Sequence, residues 1–177
     1  VNKRVRELLG GDYSCKSVMY TVDFDEIVKL QHKEEWGKLD RLMADAAVRC
    51  QKAGADIIVL CTNTMHLCKD AIEKSISVPF LHIAHATAEA ISLYGLTKVA
   101  LLGTKFTMEK DFYKREIEEN YDINVIVPDS GDRDIIHGII YQELMKGIIS
   151  EESRDRFKVI IISLKEQGAE GVILGCT

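Results

Sequence analysis

A short phrase occurs twice in this sequence, and each copy ends in side chains that can take part in proton transfer. The copies are residues 54–62 and 168–177, and a gap-free alignment pairs Thr62 with Cys176. Each copy has a glycine typical of a helix end, then an apolar run of strand length, then polar residues that end the run. The hydroxyl of Thr62 and the thiol of Cys176, each at such a strand end, suit proton exchange on the two faces of one small carbon centre.

The elements that must position these residues follow from the hydrophobic pattern. Apolar runs of strand length alternate with segments of helical periodicity. This alternation predicts an α/β fold with a mostly parallel sheet covered by helices. The predicted strands are residues 17–22, 56–60, 80–83, 99–102, 124–127 and 172–174, and the predicted helices are residues 1–9, 36–53, 65–74, 87–93, 108–120, 132–146 and 151–167.

The repeat further predicts two pseudo-symmetric βαβ halves, at about residues 1–95 and 96–177. Open parallel sheets bind ligands at the carboxyl ends of their strands, so we expect the active site in a cleft between the halves. Both chain ends are expected to be truncations of a longer protein. No initiator Met or preceding strand comes before the first helix, and the sequence stops one residue after Cys176.

Composition excludes several classes of protein. The 177 residues are 46% hydrophobic and 29% charged, which is enough to bury a core. The net charge of -5 is modest and its charges are interleaved, which excludes a nucleic-acid partner. No apolar run approaches the roughly 20 residues that span a bilayer. The protein is therefore not expected to bind a membrane. Five scattered cysteines are typical of free thiols, so we expect it to be cytoplasmic.

The polar strand ends form a set that is more specific than any one member. The set consists of Thr62-Asn63-Thr64-Met65-His66, Gly103-Thr104, Thr107 and Gly175-Cys176-Thr177, with Val22-Asp23-Phe24 and Pro79-Phe80-Leu81-His82-Ile83 elsewhere. On these motifs the sequence resembles the aspartate/glutamate racemase family along nearly its whole length. The resemblance implies an amino acid racemase, an isomerase that uses neither PLP nor another cofactor. It also implies a small amino acid substrate and a homodimer.

The resemblance also implies which residues act on the α-carbon. The family uses a Cys-Asn-Thr and a Gly-Cys-Thr motif, whose two thiols serve opposite faces of the substrate. Cys176 matches the second thiol, whereas Thr62 occupies the position of the first and Cys61 lies one residue earlier. Strand residues alternate between faces, so Cys61 should point into the core if Thr62 faces the cleft. We predict Thr62 and Cys176 as the catalytic pair, with Cys61 as the alternative second base.

Substrate-binding residues are implied in the same way. By resemblance, Asn63, Thr64 and Thr104 hold the α-carboxylate and amino groups, and Thr177 supplies a further donor. These residue types are also typical helix caps, so each can have a structural role instead of, or besides, binding. Lys146 matches a family lysine that contacts the distal carboxylate. Its alternative role is a solvated charge at a helix end, because Gly147 follows it.

The preferred substrate stays open at this stage. A second family cation, an arginine, has no counterpart, because Asp23-Phe24 stands in its place. Aspartate, glutamate and a broader range of amino acids are therefore all compatible with the sequence. A decarboxylase with a single thiol is the alternative enzyme, and a carboxylate-binding protein without catalysis is the alternative outside enzymes.

A metal site is the remaining possibility that the residue types raise. Cys61, His66 and Cys68 lie close in sequence, and His82 with His85 has an HxxH spacing. Neither set matches the usual zinc spacings. The sequence therefore predicts no metal, with His66 as a structural residue beside the first motif and His82 packed in the core.

Overall fold

The computed structural model describes residues 1–176 of the chain. Contacts between its Cα atoms divide it into two compact units. Unit 1 consists of Val1–Ile58 and Asp70–Phe80, and unit 2 consists of Val59–Lys69 and the chain from Leu81 onward. The predicted pair of pseudo-symmetric halves stays a prediction. In the part of the chain that the structure describes, no helix has both the length and the apolar character needed to cross a bilayer.

Unit 1 is mainly helical, and its helices begin and end where local chemistry favours it. Its Asp23 side chain accepts a hydrogen bond from the Asp25 backbone N–H at 3.1 Å and caps the second helix. The third helix buries Leu39, Met43 and Ala47, which share one face at i, i+4 spacing. The helices are α1 (Asn2–Leu9), α2 (Phe24–His32) and α3 (Trp36–Lys52), with α4 (Lys69–Ser75) beginning at the unit boundary.

Two short strands, β1 (Ile58–Val59) and β2 (Phe80–Leu81), pair with each other. The first of the two polar motifs follows β1, and a 3-10 helix (Thr64–Cys68) connects it to α4. The remaining elements are α5 (Ile83–Leu93), β3 (Lys98–Gly103), α6 (Lys105–Glu109), α7 (Asp111–Tyr121), β4 (Asn124–Ile126), α8 (Ser130–Gln142), a second 3-10 helix (Leu144–Lys146), α9 (Glu151–Glu166) and β5 (Gly171–Gly175).

The sheet of unit 2 is parallel and has the order β4-β3-β5. Its central strand β3 is buried on both faces, as its continuous apolar sequence predicts. On one face Val99 and Leu101 pack with side chains of α5 and α7. On the other face Ala100 and Leu102 pack with side chains of α8 and α9. The α/β class with a parallel sheet is therefore confirmed.

The predicted strand at residues 17–22 is wrong, because the segment is irregular. Its apolar side chains Val18, Met19 and Tyr20 are exposed, and the Tyr20 ring lies 5.5 Å from the guanidinium carbon of Arg49. Apolar composition permits a strand, but a β-strand also needs backbone hydrogen bonds to a neighbouring strand. No strand in the described residues pairs with this segment.

Most other boundaries agree with the sequence to within a few residues. The largest differences lie where one predicted helix is two elements. Residues 65–74 fall in the first 3-10 helix and α4, Lys110 separates α6 from α7, and α8 ends at Gln142 before the second 3-10 helix. Helix α2 was not predicted. Its signals were present, namely the Asp23 cap, an acidic first turn and the buried side chain of Ile27.

Candidate active site

The carboxyl ends of β3 and β5 lie side by side in unit 2. The two strands pair in parallel with Gly103 opposite Gly175, so Thr104 and Cys176 leave neighbouring strands at the same edge. The backbones approach so closely that a Cβ on Gly103 would lie 2.9 Å from the Gly175 carbonyl oxygen. Glycine at these two positions therefore allows the polar residues that follow to come together.

Three buried threonine hydroxyls form a cluster at this edge. The Thr64 Oγ1 lies 3.4 Å from that of Thr104 and 3.3 Å from that of Thr107, and the Thr104 and Thr107 hydroxyls are 3.2 Å apart. The Thr104 hydroxyl also accepts a hydrogen bond from the Thr107 backbone N–H and caps α6. The structure thus brings Thr64 of the first motif to Thr104, and their role in substrate binding stays a prediction. Thr107 had no predicted role of its own.

Asn63 is the one residue of the predicted site with an unsatisfied polar atom among those the structure describes. Its side chain is 4% exposed, and its Oδ1 has no hydrogen-bond partner. It lines a groove of about 430 Å³ that also includes Tyr113 and Leu174. Leaving a buried acceptor without a partner costs about 1–3 kcal/mol, so a ligand that donates to it would recover that energy.

The side chains of Cys61 and Thr62 do not follow the alternation expected for a strand. Cys61 is exposed and Thr62 is half-buried, so the expectation that Cys61 points into the core is wrong. The physical reason is that β1 ends at Val59, and residues 60–63 no longer have the two-residue period of a strand. The Thr62 carbonyl instead accepts a hydrogen bond of 2.7 Å from the His66 ring.

Cys176 directly follows β5 and is exposed to solvent. Partial burial of its thiol nevertheless raises its pKa, because the surrounding protein disfavours the thiolate. The pKa of Tyr141 is raised as well, first by burial and second by the charge of Cys176, so the phenol lies near the thiol. A base at this position needs stabilisation of its charged form when the substrate binds.

Two residues of α8 lie at the same edge and were missed by sequence analysis. The Lys105 backbone N–H donates to the His137 Nδ1 at 3.2 Å, so the neutral ring carries its proton on Nε2. The His137 and Tyr141 ring centroids are 4.6 Å apart. A usable signal was their i, i+4 spacing directly beside the buried pair Ile136 and Ile140.

The two remaining predicted residues are not joined to this cluster. Lys146 is exposed in the second 3-10 helix, which Gly147 ends with a positive φ of 74°. Among the described residues, no hydrogen bond or ion pair connects Lys146 to another predicted site residue. Both of its predicted roles therefore stay predictions, and Thr177 lies outside the described residues.

The histidines beside the first motif are held by backbone and carboxylate partners. The His82 Nδ1 accepts from the Ala84 N–H at 3.1 Å and caps α5, and the His85 Nε2 lies 2.7 Å from Glu116. Within residues 1–176, no group of three or more His, Cys, Asp or Glu side chains is arranged to hold a metal ion.

Comparison with known proteins places this geometry in context. A family model described as Asp/Glu/hydantoin racemase matches residues 1–177. The broad-specificity amino-acid racemase RacX of Bacillus subtilis is 32% identical over 111 residues, which are 61% of this chain and 43% of RacX. The match therefore spans less than half of that curated relative.

Two crystal structures cover nearly all of the chain. One, from Yersinia pestis, is named as a candidate Asp/Glu racemase and is 48% identical, with a TM-score of 0.91 over 99% of this chain and 76% of that one. The other is an aspartate racemase homologue from Pyrococcus horikoshii, 33% identical, with a TM-score of 0.81 over 98% of this chain and 75% of that one.

Proposed function

The chain belongs to the Asp/Glu/hydantoin racemase family, and from this premise we propose that the complete protein racemises an amino acid by proton exchange at the α-carbon. The observation that carries the proposal is the meeting of Thr64 and Thr104 beside Gly175, directly before Cys176. A thiol that directly follows, in sequence, the glycine beside these hydroxyl donors suits deprotonation beside a carboxylate.

In the proposal, the Thr64 and Thr104 hydroxyls bind the substrate's α-carboxylate. Each hydroxyl has one proton and can turn it from its threonine neighbour toward a carboxylate oxygen. The unpaired Oδ1 of Asn63 is an acceptor, which suits the α-ammonium group. These contacts hold the α-carbon in one orientation and stabilise the negative charge that develops as its proton leaves.

Cys176 is the proposed base for the L substrate. Its thiolate takes the α-proton, so the C–H bond breaks, an S–H bond forms, and the electron pair is shared with the α-carboxylate. Thr62, acting with a water molecule, delivers a proton to the opposite face and yields the D enantiomer. Proton exchange with solvent restores both groups for the next cycle. Burial raises the pKa of Cys176, but a thiol, whose ordinary pKa is about 8.5, remains far more acidic than an aliphatic hydroxyl.

We propose that acidic amino acids are among the substrates and that Lys146 contacts their distal carboxylate. Lys146 is exposed and has no acidic partner among the described residues, so its ammonium group is available. The B. subtilis relative is named as having broad specificity, which supports a range wider than aspartate and glutamate. Family membership favours racemisation over the decarboxylase and the binding protein considered from sequence.

Further parts of the proposal concern the working state of the protein. We propose that it acts without PLP, as a homodimer, in the cytoplasm. The family resemblance supports the first two points, and the free thiols and interleaved charges support the third. Sedimentation equilibrium of the complete protein would test the dimer: a single species of monomer mass would contradict it.

The decisive experiment is α-proton exchange of the complete protein with L- and D-amino acids in deuterated water, without added cofactor. We expect loss of the α-proton signal and formation of the other enantiomer. Cys176→Ser should lower exchange by about 10²–10⁴-fold with the fold intact, because general acid–base catalysis contributes factors of that size. Binding without exchange would support the carboxylate-binding protein, and release of CO₂ would support the decarboxylase.

A further inference from the structure

His66 links the first motif to helix α5 through two backbone hydrogen bonds. Its Nδ1 lies 2.7 Å from the Thr62 carbonyl oxygen, and its Nε2 accepts from the Ile83 backbone N–H at 3.1 Å. A carbonyl can only accept, so the ring carries its proton on Nδ1 and its lone pair on Nε2. The side chain is 1% exposed, so water cannot easily replace either bond.

The first of these bonds acts where regular structure ends. Residues 60–63 lie between β1 and the 3-10 helix and belong to neither. Fixing the Thr62 carbonyl fixes the peptide plane that joins Thr62 to Asn63. That plane is bonded to the Cα atoms of both residues, so it constrains the backbone from which the Thr62 hydroxyl and the unpaired Oδ1 of Asn63 extend.

We infer that His66 is a positioning residue for proton transfer on the face served by Thr62. The inference rests on the proposed function and deepens it. In this role His66 acts through the Thr62–Asn63 peptide, whose carbonyl it binds. It holds the hydroxyl side of the site in the geometry needed to deliver a proton opposite Cys176.

The surroundings of His66 favour a neutral ring that serves as a bridge. Burial lowers its pKa below the ordinary value of 6.5, which outweighs the hydrogen bonds to backbone carbonyls that raise it. The His82 ring centroid lies 4.4 Å away, and the nearby charges are the Lys69–Glu116 ion pair. A neutral ring at working pH can keep both bonds at once, whereas a protonated ring would lose its acceptor on Nε2.

Two polar substitutions separate the two bonds. In His66→Asn the amide NH₂ lies near the Nδ1 position and can still donate to Thr62, while the bond from Ile83 is lost. In His66→Gln the amide oxygen lies near the Nε2 position and can still accept from Ile83, while the bond to Thr62 is lost. His66→Phe retains a ring and removes both bonds.

The readout is the ratio of α-proton exchange rates for the D and L enantiomers in deuterated water. The Thr62 face deprotonates the D substrate, whereas Cys176 deprotonates the L substrate. We expect this ratio to fall about tenfold in His66→Gln and His66→Phe, the size of effect expected from one hydrogen bond. In His66→Asn it should stay within about twofold of the wild type. A purely structural role would lower both rates together and leave the ratio unchanged.

His82→Phe is the matched control, because His82 is a neighbouring histidine that is 3% exposed and bonds to Ala84. It should lower stability without changing the ratio. An unchanged ratio in His66→Gln with an active wild type would overturn the positioning role alone. No exchange by the wild type would overturn the proposed function itself. If His66→Gln and His66→Phe do not fold, a lowered ratio in folded His66→Asn would still contradict the inference.

Discussion

At the scale of single residues, the two faces of the proposed site have different chemistry. Cys176 supplies a thiol, whereas Thr62 supplies a hydroxyl that cannot be a base of comparable strength at neutral pH. The adjacent Cys61 is exposed and lies one residue from the aligned position. Thr62 and Cys61 are therefore the two candidates for the second proton transfer, and substitutions can distinguish them.

Thr62→Cys should raise exchange of the D enantiomer relative to the L enantiomer. The new thiol improves the proton transfer that the hydroxyl serves poorly and leaves Cys176 unchanged. Cys61→Ala should keep exchange, and it should change the free energy of unfolding by less than about 0.5 kcal/mol, because the side chain is exposed. If Cys61→Ala abolishes exchange in a folded protein while Thr62→Cys changes nothing, Cys61 is the second base and the gap-free alignment is wrong.

Lys146→Ala should weaken the binding of acidic substrates far more than that of neutral ones. A charge-assisted hydrogen bond contributes roughly 1.5–3 kcal/mol, or about ten- to a hundredfold in apparent affinity. The measurement is the KM for aspartate or glutamate compared with that for alanine. Lys158→Ala is a charge-matched control on α9 and should change neither value. An equal loss for both substrate types would show that Lys146 only ends its 3-10 helix.

At the scale of elements, the contact between β3 and β5 decides whether the polar residues can meet. Their paired glycines allow the close backbone approach, and α6 begins immediately after β3 with Thr104 as its cap. The first motif reaches the same place through the 3-10 helix rather than through a regular strand. The threonine cluster therefore depends on how three elements end.

Gly175→Ala should impair both stability and exchange. The added Cβ would lie 3.0 Å from the Leu101 side chain, 3.1 Å from the Leu102 carbonyl oxygen and 3.3 Å from the Thr107 methyl group. Overpacking of this kind typically costs about 1–3 kcal/mol, and here the strain would displace Cys176. Urea unfolding and α-proton exchange measure the two effects.

Gly138→Ala is the matched control for this change. Gly138 lies inside α8, and a Cβ there would meet nothing within 4 Å. Because alanine restricts the unfolded chain and favours a helix, this variant should gain about 0.5–1 kcal/mol and keep its activity. Full activity and stability in Gly175→Ala would contradict the close approach seen between the strands.

At the scale of the whole molecule, buried neutral histidines predict loss of stability in acid. Burial lowers the pKa of His82 from 6.5 to about 3, with the charge of His66 as the next contribution. In the unfolded chain His82 takes up a proton below about pH 6.5, whereas the folded state resists protonation down to about pH 3. The unfolded state therefore binds more protons in this window, and stability falls as the pH falls.

The expected loss is a few kcal/mol between pH 7 and pH 4, since one pKa unit corresponds to about 1.4 kcal/mol. His82→Gln should flatten the profile, which urea unfolding at several pH values would measure. Above pH 5 the nearby Glu116 contributes little to the change of stability with pH. Burial alone would raise its pKa, but hydrogen bonds from Lys69 and His85 lower it below 4.5. An identical slope in His82→Gln would contradict the prediction.

The sequence by itself determined the elements whose signals are local. Helix α3 has an apolar face at i, i+4 spacing, α9 is predicted to within one residue, and β3 is a continuous apolar run. The α/β class and the family follow from the same kind of information, because periodicity and motifs are read along the chain. Pairing of the aligned strand-end motifs also indicated which residues should carry the chemistry.

Only the tertiary structure decided the contacts between distant segments. It left residues 17–22 without a strand partner, exposed Cys61, and brought Thr107 and Tyr141 to the edge where Cys176 lies. Strand pairing, the direction of a chain after its strand ends, and the partners of buried hydroxyls all depend on atoms far away in sequence. Local pattern sets which elements can form, while packing sets which of their side chains meet.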